Sequence, residues 1–280
     1  MRTFEIGKRL ASAAQEGRLV SAGRKRFAEL AKAPGIREHV HRVALGLPYH
    51  RAETLPLVLI HGDFSVDPVG IFLKQSLERA INNVGGLPDF IRSIEGMSGQ
   101  KYRTFINDFI RSHKDPRYLE IGSWAGSTAT AALYGNSVTA LCIDNWSQFG
   151  GPREAFFDNI KHALSPSVNF RFIEEDFRTV DYTSLGRFNI YLFDGPHEEK
   201  DQYDGIMIAR PALDKTCVLI VDDWNWRQVR LGTFRAIRDS GYRIAGAVEI
   251  RTTLNNRHPV IADDVSDWHN GYFISLLLSS

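Results

Sequence analysis

The sequence predicts an α/β protein with a doubly wound, mostly parallel sheet, and three observations lead to this fold. From Arg117 onward, short apolar runs alternate with segments of helical periodicity, which is typical of βαβ units. The last two apolar runs have only a loop between them, which favours an antiparallel last strand because a parallel pair needs a crossover. Acidic residues follow five of the runs in a row, as expected where strand ends form a ligand site.

Seven strands and four intervening helices follow from this alternation. The strands are expected at 117–122, 138–144, 168–176, 188–195, 216–224, 242–252 and 271–278. The helices are expected near 126–135, 152–164, 198–213 and 227–240. A further amphipathic helix at 97–113 leads into the first strand.

An N-terminal extension, residues 1–85, is predicted to be mainly helical. Within it, the run at 55–65 is compatible with either a strand or an extended segment, and 66–83 returns to helical periodicity. Gly85, Gly86 and Pro88 break this pattern. The sequence therefore predicts two parts, the extension at 1–85 and a main domain at 86–280.

Composition indicates a globular protein and excludes several classes. The 280 residues carry a net charge of +1, but residues 1–51 hold eleven Lys and Arg against four Asp and Glu, so the remainder carries −6. No apolar run approaches membrane-spanning length, and the N-terminus lacks the apolar core of a signal peptide. We expect a cytoplasmic protein with no membrane or nucleic-acid partner, and the sequence leaves a homo-oligomer open. Cys142 and Cys217 are expected to be buried and unpaired.

The segment RYLEIGSWAGSTATAALYGN (117–136) is the first candidate ligand site. It reads as strand, turn and helix, with Gly122 and Gly126 in the turn and Glu120 just before it. Glycine allows a ligand to approach the backbone closely, and Ser127 and Thr128 are candidate caps of the helix. The dinucleotide fingerprint G-x-G-x-x-G is absent.

The next strand ends offer groups suited to an adenosine moiety. Asp144 follows the second strand, where a carboxylate can accept hydrogen bonds from both ribose hydroxyls. Asp176 follows the third strand and could accept from an adenine amino group, with Phe177 or Trp146 as an apolar face.

In the order and spacing of these motifs, residues 97–280 resemble the Rossmann-like class I S-adenosylmethionine (SAM)-dependent methyltransferases, whose turn is E/D-x-G-x-x-x-G. The resemblance implies that Gly122 and Gly126 approach the methionine part of SAM, that Asp144 holds the ribose and that Asp176 holds the adenine. The full predicted set of cofactor-binding residues is Met97, Ser98, Glu120, Gly122, Ser123, Gly126, Ser127, Asp144, Asn145, Trp146, Asp176, Phe177 and Asp194. For Met97 and Ser98, core packing is an equal alternative.

A second acidic cluster predicts a metal site. Asp194 follows the fourth strand, and Asp222 and Asp223 follow the fifth. Neighbouring strand ends converge, and carboxylates that meet repel one another unless a cation lies between them. Oxygen ligands favour a hard ion such as Mg²⁺, which would help an acceptor hydroxyl to lose its proton. The alternative is that Asp222 and Asp223 cap the following helix.

This cluster resembles that of metal-dependent O-methyltransferases, including the catechol enzymes and the macrocin and mycinamicin sugar enzymes. The resemblance implies Asp194, Asp222 and Asp223 as metal ligands, with Asp194 and His197 catalytic and His197 the general base. The stretch DGPH (194–197) favours a sugar-like or other non-catechol acceptor over a catechol. A loop histidine bonded to the backbone is the alternative for His197.

The predicted function is therefore SAM-dependent O-methylation of a small-molecule hydroxyl. The alternatives are a non-catalytic or hydroxylase-like relative of the same fold and a nucleotide-dependent oxidoreductase. The sequence does not specify the acceptor or the oligomeric state. The loop at 255–270, which includes His258, Asp263, Asp264 and Trp268, is a weaker candidate for acceptor contacts.

Overall fold

A computed structural model describes residues 56–279. The strands in this range are β1 (Leu57–Gly62), β2 (Arg117–Ile121), β3 (Val138–Ile143), β4 (Val168–Ile173), β5 (Phe188–Phe193), β6 (Leu213–Val221), β7 (Tyr242–Arg251) and β8 (Tyr272–Ser279). The α-helices are α1 (Pro68–Ile81), α2 (Asp89–Arg92), α3 (Gln100–Ser112), α4 (Ser127–Leu133), α5 (Arg153–Ile160), α6 (Glu199–Ala209) and α7 (Arg227–Asp239).

All the strands of the described range form one mixed sheet, in the order β1-β7-β8-β6-β5-β2-β3-β4. Strands β2 to β6 are parallel to one another. Strand β8 lies antiparallel between β6 and β7. The predicted α/β class, the mostly parallel sheet and the antiparallel last strand are confirmed.

The sheet has eight strands in the described residues, one more than the sequence predicted. Strand β1 pairs antiparallel with β7 from Leu57 opposite Arg251 to Gly62 opposite Gly246. The sequence left this run undecided because a short apolar segment does not reveal a partner almost 190 residues away. The rest of the predicted extension at 1–55 lies outside the described residues, and the division at 85/86 stays a prediction.

Two hydrophobic cores cover the two faces of the sheet, as the period-2 alternation of its strands requires. In β2, Tyr118 packs into one core and Leu119 into the other. The first core also contains Leu77 of α1 and Phe105 of α3, and the second contains Ile206 of α6 and Val229 of α7. Helices therefore lie on both faces, which makes the sheet doubly wound. Within the described range, no helix is long and apolar enough to cross a membrane.

Local sequence explains the elements that position the strand ends. Strand β5 (FNIYLF) is buried along its whole length, as expected for a central parallel strand. Helix α1 begins at Asp67, whose carboxylate accepts from the backbone N–H of Val69. Helix α6 begins with a capping box between Glu198 and Asp201, which fixes the chain directly after His197. Cys142 and Cys217 are buried and unpaired, as predicted.

Candidate functional site

The ends of β2 to β6 open into one cavity at the carboxyl edge of the sheet. Its walls come from the turns after these strands and from two other segments, one before α3 and one between β7 and β8. The residues that line it are Met97, Ile121, Gly122, Trp124, Ile143, Asp144, Asn145, Ser147, Gln148, Phe149, Glu175, Asp176, Phe177, Arg178, Asp194, Gly195, Pro196, His197, Asp222, Asp223, Trp226, His258, Asp263 and His269. The predicted cofactor and metal clusters therefore share a single cavity.

The two glycines of the first turn are required by the packing of the protein itself. Gly122 has φ +86°, and a Cβ atom there would lie 1.9 Å from the carbonyl oxygen of Asp194. Gly126 has φ +79°, and its Cβ would lie 2.8 Å from Cδ2 of Phe156. The sequence indicated that these glycines let a ligand approach the backbone, with a tight turn as the alternative. In the structure, Gly122 also lets the turn after β2 lie against the end of β5.

The predicted capping by Ser127 and Thr128 is wrong. Gly126 is the N-cap residue of α4 and provides no side-chain cap. Ser127 and Thr128 are buried in the first turn of the helix, and Oγ of Ser127 lies 3.3 Å from Oγ of Ser98. The turn adopts the left-handed conformation at Gly126, where the chain needs glycine and cannot use a serine cap.

Glu120 lies beneath the turn and does not line the cavity. It is fully buried, and its Oε2 accepts a hydrogen bond of 2.5 Å from the hydroxyl of Tyr118. Burial raises the pKa of Glu120 to about 7, although the Tyr118 hydrogen bond lowers it. Ser123 is also buried and is absent from the cavity wall. These two predicted cofactor residues therefore support the turn from behind.

Asp144 lines the cavity between the turns after β2 and β3. Its Oδ2 accepts from the backbone N–H of Trp124 at 2.8 Å, and its Oδ1 accepts from the backbone N–H of Trp146 at 2.7 Å. The carboxylate thus ties the turn after β2 to the turn after β3. Each oxygen has a further lone pair for a ligand hydroxyl.

The side chain of Trp146 packs away from the cavity. Its ring stacks on Phe172 at 4.8 Å and contacts the edge of Phe156 at 5.9 Å. Asn145 and the largely exposed Phe149 line the cavity on either side of it. The residue that presents an aromatic ring after β3 is therefore Phe149, which the sequence argument did not consider.

Asp176 and Phe177 both line the cavity beyond the end of β4. Oδ1 of Asp176 accepts from the backbone N–H of Arg178 at 2.9 Å. Phe177 is buried with its ring 5.5 Å from that of Phe193, and the Arg178 guanidinium lies 4.3 Å from the Phe177 ring centroid. The arrangement leaves Asp176 beside an apolar wall.

Of the two residues before α3, only Met97 faces the cavity. Ser98 is buried, and its Oγ accepts a hydrogen bond of 2.8 Å from Nε of Arg103. Arg103 is also fully buried and donates to the carbonyl oxygens of Arg92, Ile94 and Gly96. This buried guanidinium fixes the segment that carries Met97.

Asp194, His197 and Asp223 meet at the opposite end of the cavity. Nε2 of His197 lies 2.5 Å from Oδ2 of Asp223 and 3.8 Å from Oδ1 of Asp194. One potential ligand atom from each of the three residues lies within 4.8 Å of the other two. The predicted convergence of the fourth and fifth strand ends thus occurs in the structure, with His197 inside the cluster.

Asp222 reaches the same cavity but makes different contacts. Its Oδ1 accepts from the backbone N–H of Asp223 at 2.7 Å, and the side chain is almost completely buried. Burial and the charges of Asp194 and Asp223 raise its pKa well above the usual range. Asp222 is therefore a neighbour of the cluster rather than part of the compact set of three.

The electrostatics of the cluster are those of carboxylates balanced by one imidazole. Burial raises the pKa of Asp194 to about 6, and the charge of Asp223 adds to the rise. Burial alone would lower the pKa of His197, but its contacts with Asp194 and Asp223 raise it to about 10. Burial would raise the pKa of Asp223, but His197 holds it below the usual range. The cluster attracts positive charge.

The alternative in which Asp222 and Asp223 cap α7 is wrong. The N-cap residue of α7 is Trp226, and no side chain caps it. Asp223 has φ +56°, a left-handed conformation that is costly for a residue with a side chain and is concentrated at functional sites. The two aspartates therefore do not cap α7, and both line the cavity.

Sequence reasoning missed a group of residues from the turn before β8. His269 lines the cavity, accepts at Nδ1 from the backbone N–H of Asp263 at 2.9 Å, and places Nε2 3.9 Å from Oδ1 of Asp223. Asn270 is fully buried and donates to Asp223. The Trp226 ring contacts the rings of His197 and His258 edge to face at 5.2 and 4.9 Å. The stretch DWHNGY (267–272) was the only signal, and only Trp268 of it was considered.

A comparison with known families gives a match over part of this site. Residues 119–224 match a family model described as a methyltransferase domain, a range that runs from β2 to the turn after β6. A search of curated proteins found no match. The family match and the arrangement of the sheet support a class I SAM-dependent methyltransferase enzyme.

Solved structures resemble the chain at low identity. Cofactor-bound Rv0187 from MTB is 15% identical, with a TM-score of 0.47 over 76% of this chain and 91% of that chain. A putative RNA methyltransferase from Pyrococcus horikoshii is 10% identical, with a TM-score of 0.45 over 74% and 97%. A putative O-methyltransferase from Klebsiella pneumoniae is 14% identical, with a TM-score of 0.43 over 76% and 91%.

Proposed function

We propose that the chain transfers a methyl group from SAM to a hydroxyl group of a small molecule, with the help of a divalent cation, for which Mg²⁺ is the first candidate. The observation that carries this proposal is that Asp144 and the cluster of Asp194, His197 and Asp223 face the same cavity. One end of this cavity suits an adenosine group and the other suits a cation and an oxygen nucleophile.

The cofactor end offers hydrogen-bond acceptors and an apolar face that suit SAM. Asp144 is held by two backbone N–H groups, so its remaining lone pairs can accept from the two ribose hydroxyls. Asp176 and Phe177 would bind the adenine, one by hydrogen bonding and the other through its apolar face. Gly122 and Met97 would border the methionine part. SAM, when bound, supplies the methyl group as an electrophile.

The cluster end fits a cation in charge and in donor set. Asp194 and Asp223 provide carboxylate oxygens, which suit Mg²⁺ and Mn²⁺. Nε2 of His197 is buried and has no hydrogen bond of good geometry within the described residues, so it is left to act as the base and is not counted among the ligands. Asp222 lines the same cavity and is proposed as the third carboxylate ligand. A divalent cation, when bound, would lower the pKa of the acceptor hydroxyl.

His197 is proposed as the general base. Without a cation, burial would lower the pKa of His197, but its contacts with Asp194 and Asp223 raise it to about 10, so the ring would carry a proton at neutral pH. A cation on these carboxylates would lower that pKa and free Nε2, which faces the cluster, to take up the acceptor proton as the oxygen attacks the methyl group. Asp194 and Asp223, which face this Nε2 at 3.8 and 2.5 Å, would stabilise the resulting imidazolium. The ring of His197 packs against Trp226, which in turn packs against His258. These ring contacts orient the imidazole.

A small neutral or sugar-like acceptor fits the remaining wall of the cavity better than a nucleic acid. The indole of Trp226 offers a face for a sugar ring, and Asp263 and His269 offer polar atoms. The cluster is acidic, and residues 52–280 carry a net charge of −6, so phosphate groups would be repelled. Cytoplasmic location and a homo-oligomer stay predictions.

The test combines binding and turnover. Calorimetry with S-adenosylhomocysteine and NADH should give binding of the first alone, and binding of NADH alone would favour the oxidoreductase alternative. Methyl transfer from radiolabelled SAM to a panel of sugars, glycosides and phenols should require Mg²⁺ and stop with a chelator.

Variants then separate the roles of the cluster residues. His197→Ala should slow turnover by roughly 10²–10⁴-fold while S-adenosylhomocysteine still binds. Turnover that persists in excess chelator would contradict the cation, and full activity of His197→Ala would contradict the base. Binding of S-adenosylhomocysteine without methyl transfer to any acceptor would favour the non-catalytic or hydroxylase-like alternative.

A further inference from the structure

Asn270 lies behind the cluster of Asp194, His197 and Asp223 and is completely buried. Its Nδ2 atom donates to Oδ1 of Asp223 at 2.5 Å. Its Oδ1 atom accepts from Nδ2 of Asn225 at 2.7 Å. Both ends of this amide are therefore engaged, one of them with a residue of the cluster.

Asn225, also completely buried, fixes the orientation of the Asn270 amide. Oδ1 of Asn225 accepts from the backbone N–H groups of Thr252 and Thr253 at 3.0 and 3.1 Å. Because backbone N–H groups can only donate, the oxygen of Asn225 must face them and its Nδ2 must face Asn270. The oxygen of Asn270 then faces Asn225, which leaves its Nδ2 to face Asp223. Oγ1 of Thr252 accepts from the same Asn225 Nδ2 at 2.8 Å. Thr252, Asn225 and Asn270 thus form a relay of hydrogen bonds that ends at Asp223.

The relay acts on the carboxylate of Asp223, whose backbone has a left-handed φ of +56°. Asn270 holds Oδ1, and Oδ2 faces His197 at 2.5 Å. Rotation of the carboxylate would break the hydrogen bond to Asn270 and leave a buried donor unpaired, which is costly. The relay therefore keeps one Asp223 oxygen directed at the cluster.

We propose that Asn270 is a positioning residue that presents Oδ2 of Asp223 to the divalent cation, an inference that rests on the proposed function. Asn270 does not contact the cation. It sets the direction of a carboxylate that does, and loss of such an outer contact lowers metal affinity by roughly 10–100-fold.

Mn²⁺ serves as the probe, since it accepts the same oxygen ligands as Mg²⁺ and is visible by electron paramagnetic resonance. Titration of Asn270→Ala should give a dissociation constant for Mn²⁺ that is roughly 10–100-fold higher than that of the wild type, with a changed spectrum of the bound ion. S-adenosylhomocysteine should bind with unchanged affinity, because Asn270 is not a lining residue of the cavity.

Thr252→Val is the matched control. It removes the far end of the relay, where Oγ1 of Thr252 meets Asn225 and donates to the carbonyl of His269, but leaves the contact between Asn270 and Asp223. A purely structural role would lower the melting temperature in both variants without a selective effect on Mn²⁺. The proposal requires that Thr252→Val keeps the Mn²⁺ affinity of the wild type.

Equal Mn²⁺ affinity in Asn270→Ala and the wild type would overturn the inference and leave the proposed function intact. A wild type that binds S-adenosylhomocysteine but not Mn²⁺ would refute the proposed cation site and the inference with it. If Asn270→Ala does not fold, a wild-type crystal grown with Mn²⁺ decides. Oδ2 of Asp223 on the ion with Oδ1 still on Asn270 supports the proposal, and a rotated Asp223 overturns it.

Discussion

Gly122→Ala tests whether the close backbone contact between the turn after β2 and the end of β5 is needed for stability and for ligand binding. The new Cβ would lie 1.9 Å from the carbonyl oxygen of Asp194 and 2.5 Å from its carbonyl carbon. Backbone atoms cannot rotate away as a flexible side chain can, so the turn and the strand end must separate. The left-handed φ of +86° costs alanine about 1–2 kcal/mol, and the overpacking adds about 1–3 kcal/mol. We expect a loss of about 2–5 kcal/mol in the free energy of unfolding.

Gly186→Ala provides a control for the conformational part of this loss. Gly186 has a similar φ of +92°, but a Cβ there would meet nothing within 4 Å. It should cost only the strain, about 1–2 kcal/mol. The entropy that alanine removes from the unfolded chain is the same at both positions and cancels in the comparison. The difference between the two variants therefore measures the collision with Asp194.

Urea denaturation gives both free energies, and calorimetry at low urea gives the affinity for S-adenosylhomocysteine and Mn²⁺. Because the collision displaces the Asp194 backbone, Gly122→Ala should weaken both ligands, whereas Gly186→Ala should weaken neither. The reasoning is refuted if Gly122→Ala is no less stable than Gly186→Ala, or if it binds both ligands as the wild type does.

Three further predictions concern the cofactor, the buried acid and the N-terminus. Asp144→Ala should weaken SAM binding by about 1.5–3 kcal/mol because charge-assisted hydrogen bonds to the ribose are lost. Asp144→Asn keeps one acceptor and should lose less. Unchanged affinity of both variants in calorimetry would contradict the assignment of Asp144 to the ribose. Burial raises the pKa of Glu120 from its ordinary value of 4.5 to about 7 in the folded protein. The folded state therefore holds an extra proton between these values, and the free energy of unfolding falls as the pH rises through this window. Glu120→Gln removes this loss and should therefore be more stable than the wild type at pH 8 by up to about 3 kcal/mol. At pH 4 the gain in stability, measured by urea denaturation, should be much smaller. An equal gain at the two pH values would contradict the raised pKa of Glu120. A chain starting at Pro56 should bind S-adenosylhomocysteine normally but lose acceptor turnover or change its oligomeric state, measured by light scattering. The reason is that the removed residues directly precede Leu57, which pairs with Arg251 at the cavity edge of the sheet. Full activity at unchanged size would show that residues 1–55 have neither role.

The sequence indicated the strand ends well because parallel strands bring their carboxyl ends to one edge by topology alone. The positions of Asp144 and Asp194 at strand ends could be predicted without knowledge of side-chain packing, from the points at which the apolar runs stop. For Gly122 the sequence indicated close approach of a ligand, which stays a prediction. The structure adds a contact with the Asp194 backbone, which joins residues 72 positions apart. The local sequence pattern around Gly122 does not reveal a contact with a residue so far along the chain.

The features that were missed depend on long-range packing. Trp146 was expected at the adenine, but its ring packs against those of Phe172 and Phe156. His269 and Asn270 lie 46 and 47 positions after Asp223, in a loop without periodicity. The predicted division at 85/86 would suggest that residues 1–85 can be removed as one part, but Leu77 of α1 packs in the same core as Phe105, so a deletion must stop before β1.

The cost of the acidic cluster is itself an argument for function. Asp222 and Asp223 are almost completely buried, and one imidazole faces the three carboxylates of the cluster and its neighbour. Asp223 adds a left-handed backbone conformation, and Asn225 and Asn270 add two buried amides that are satisfied only as a pair. Apolar residues would fill this volume at lower cost, so a fold under selection for stability alone would not keep the arrangement. Strain and unbalanced charge persist where a ligand relieves them, and a divalent cation would relieve the charge at this end of the cavity.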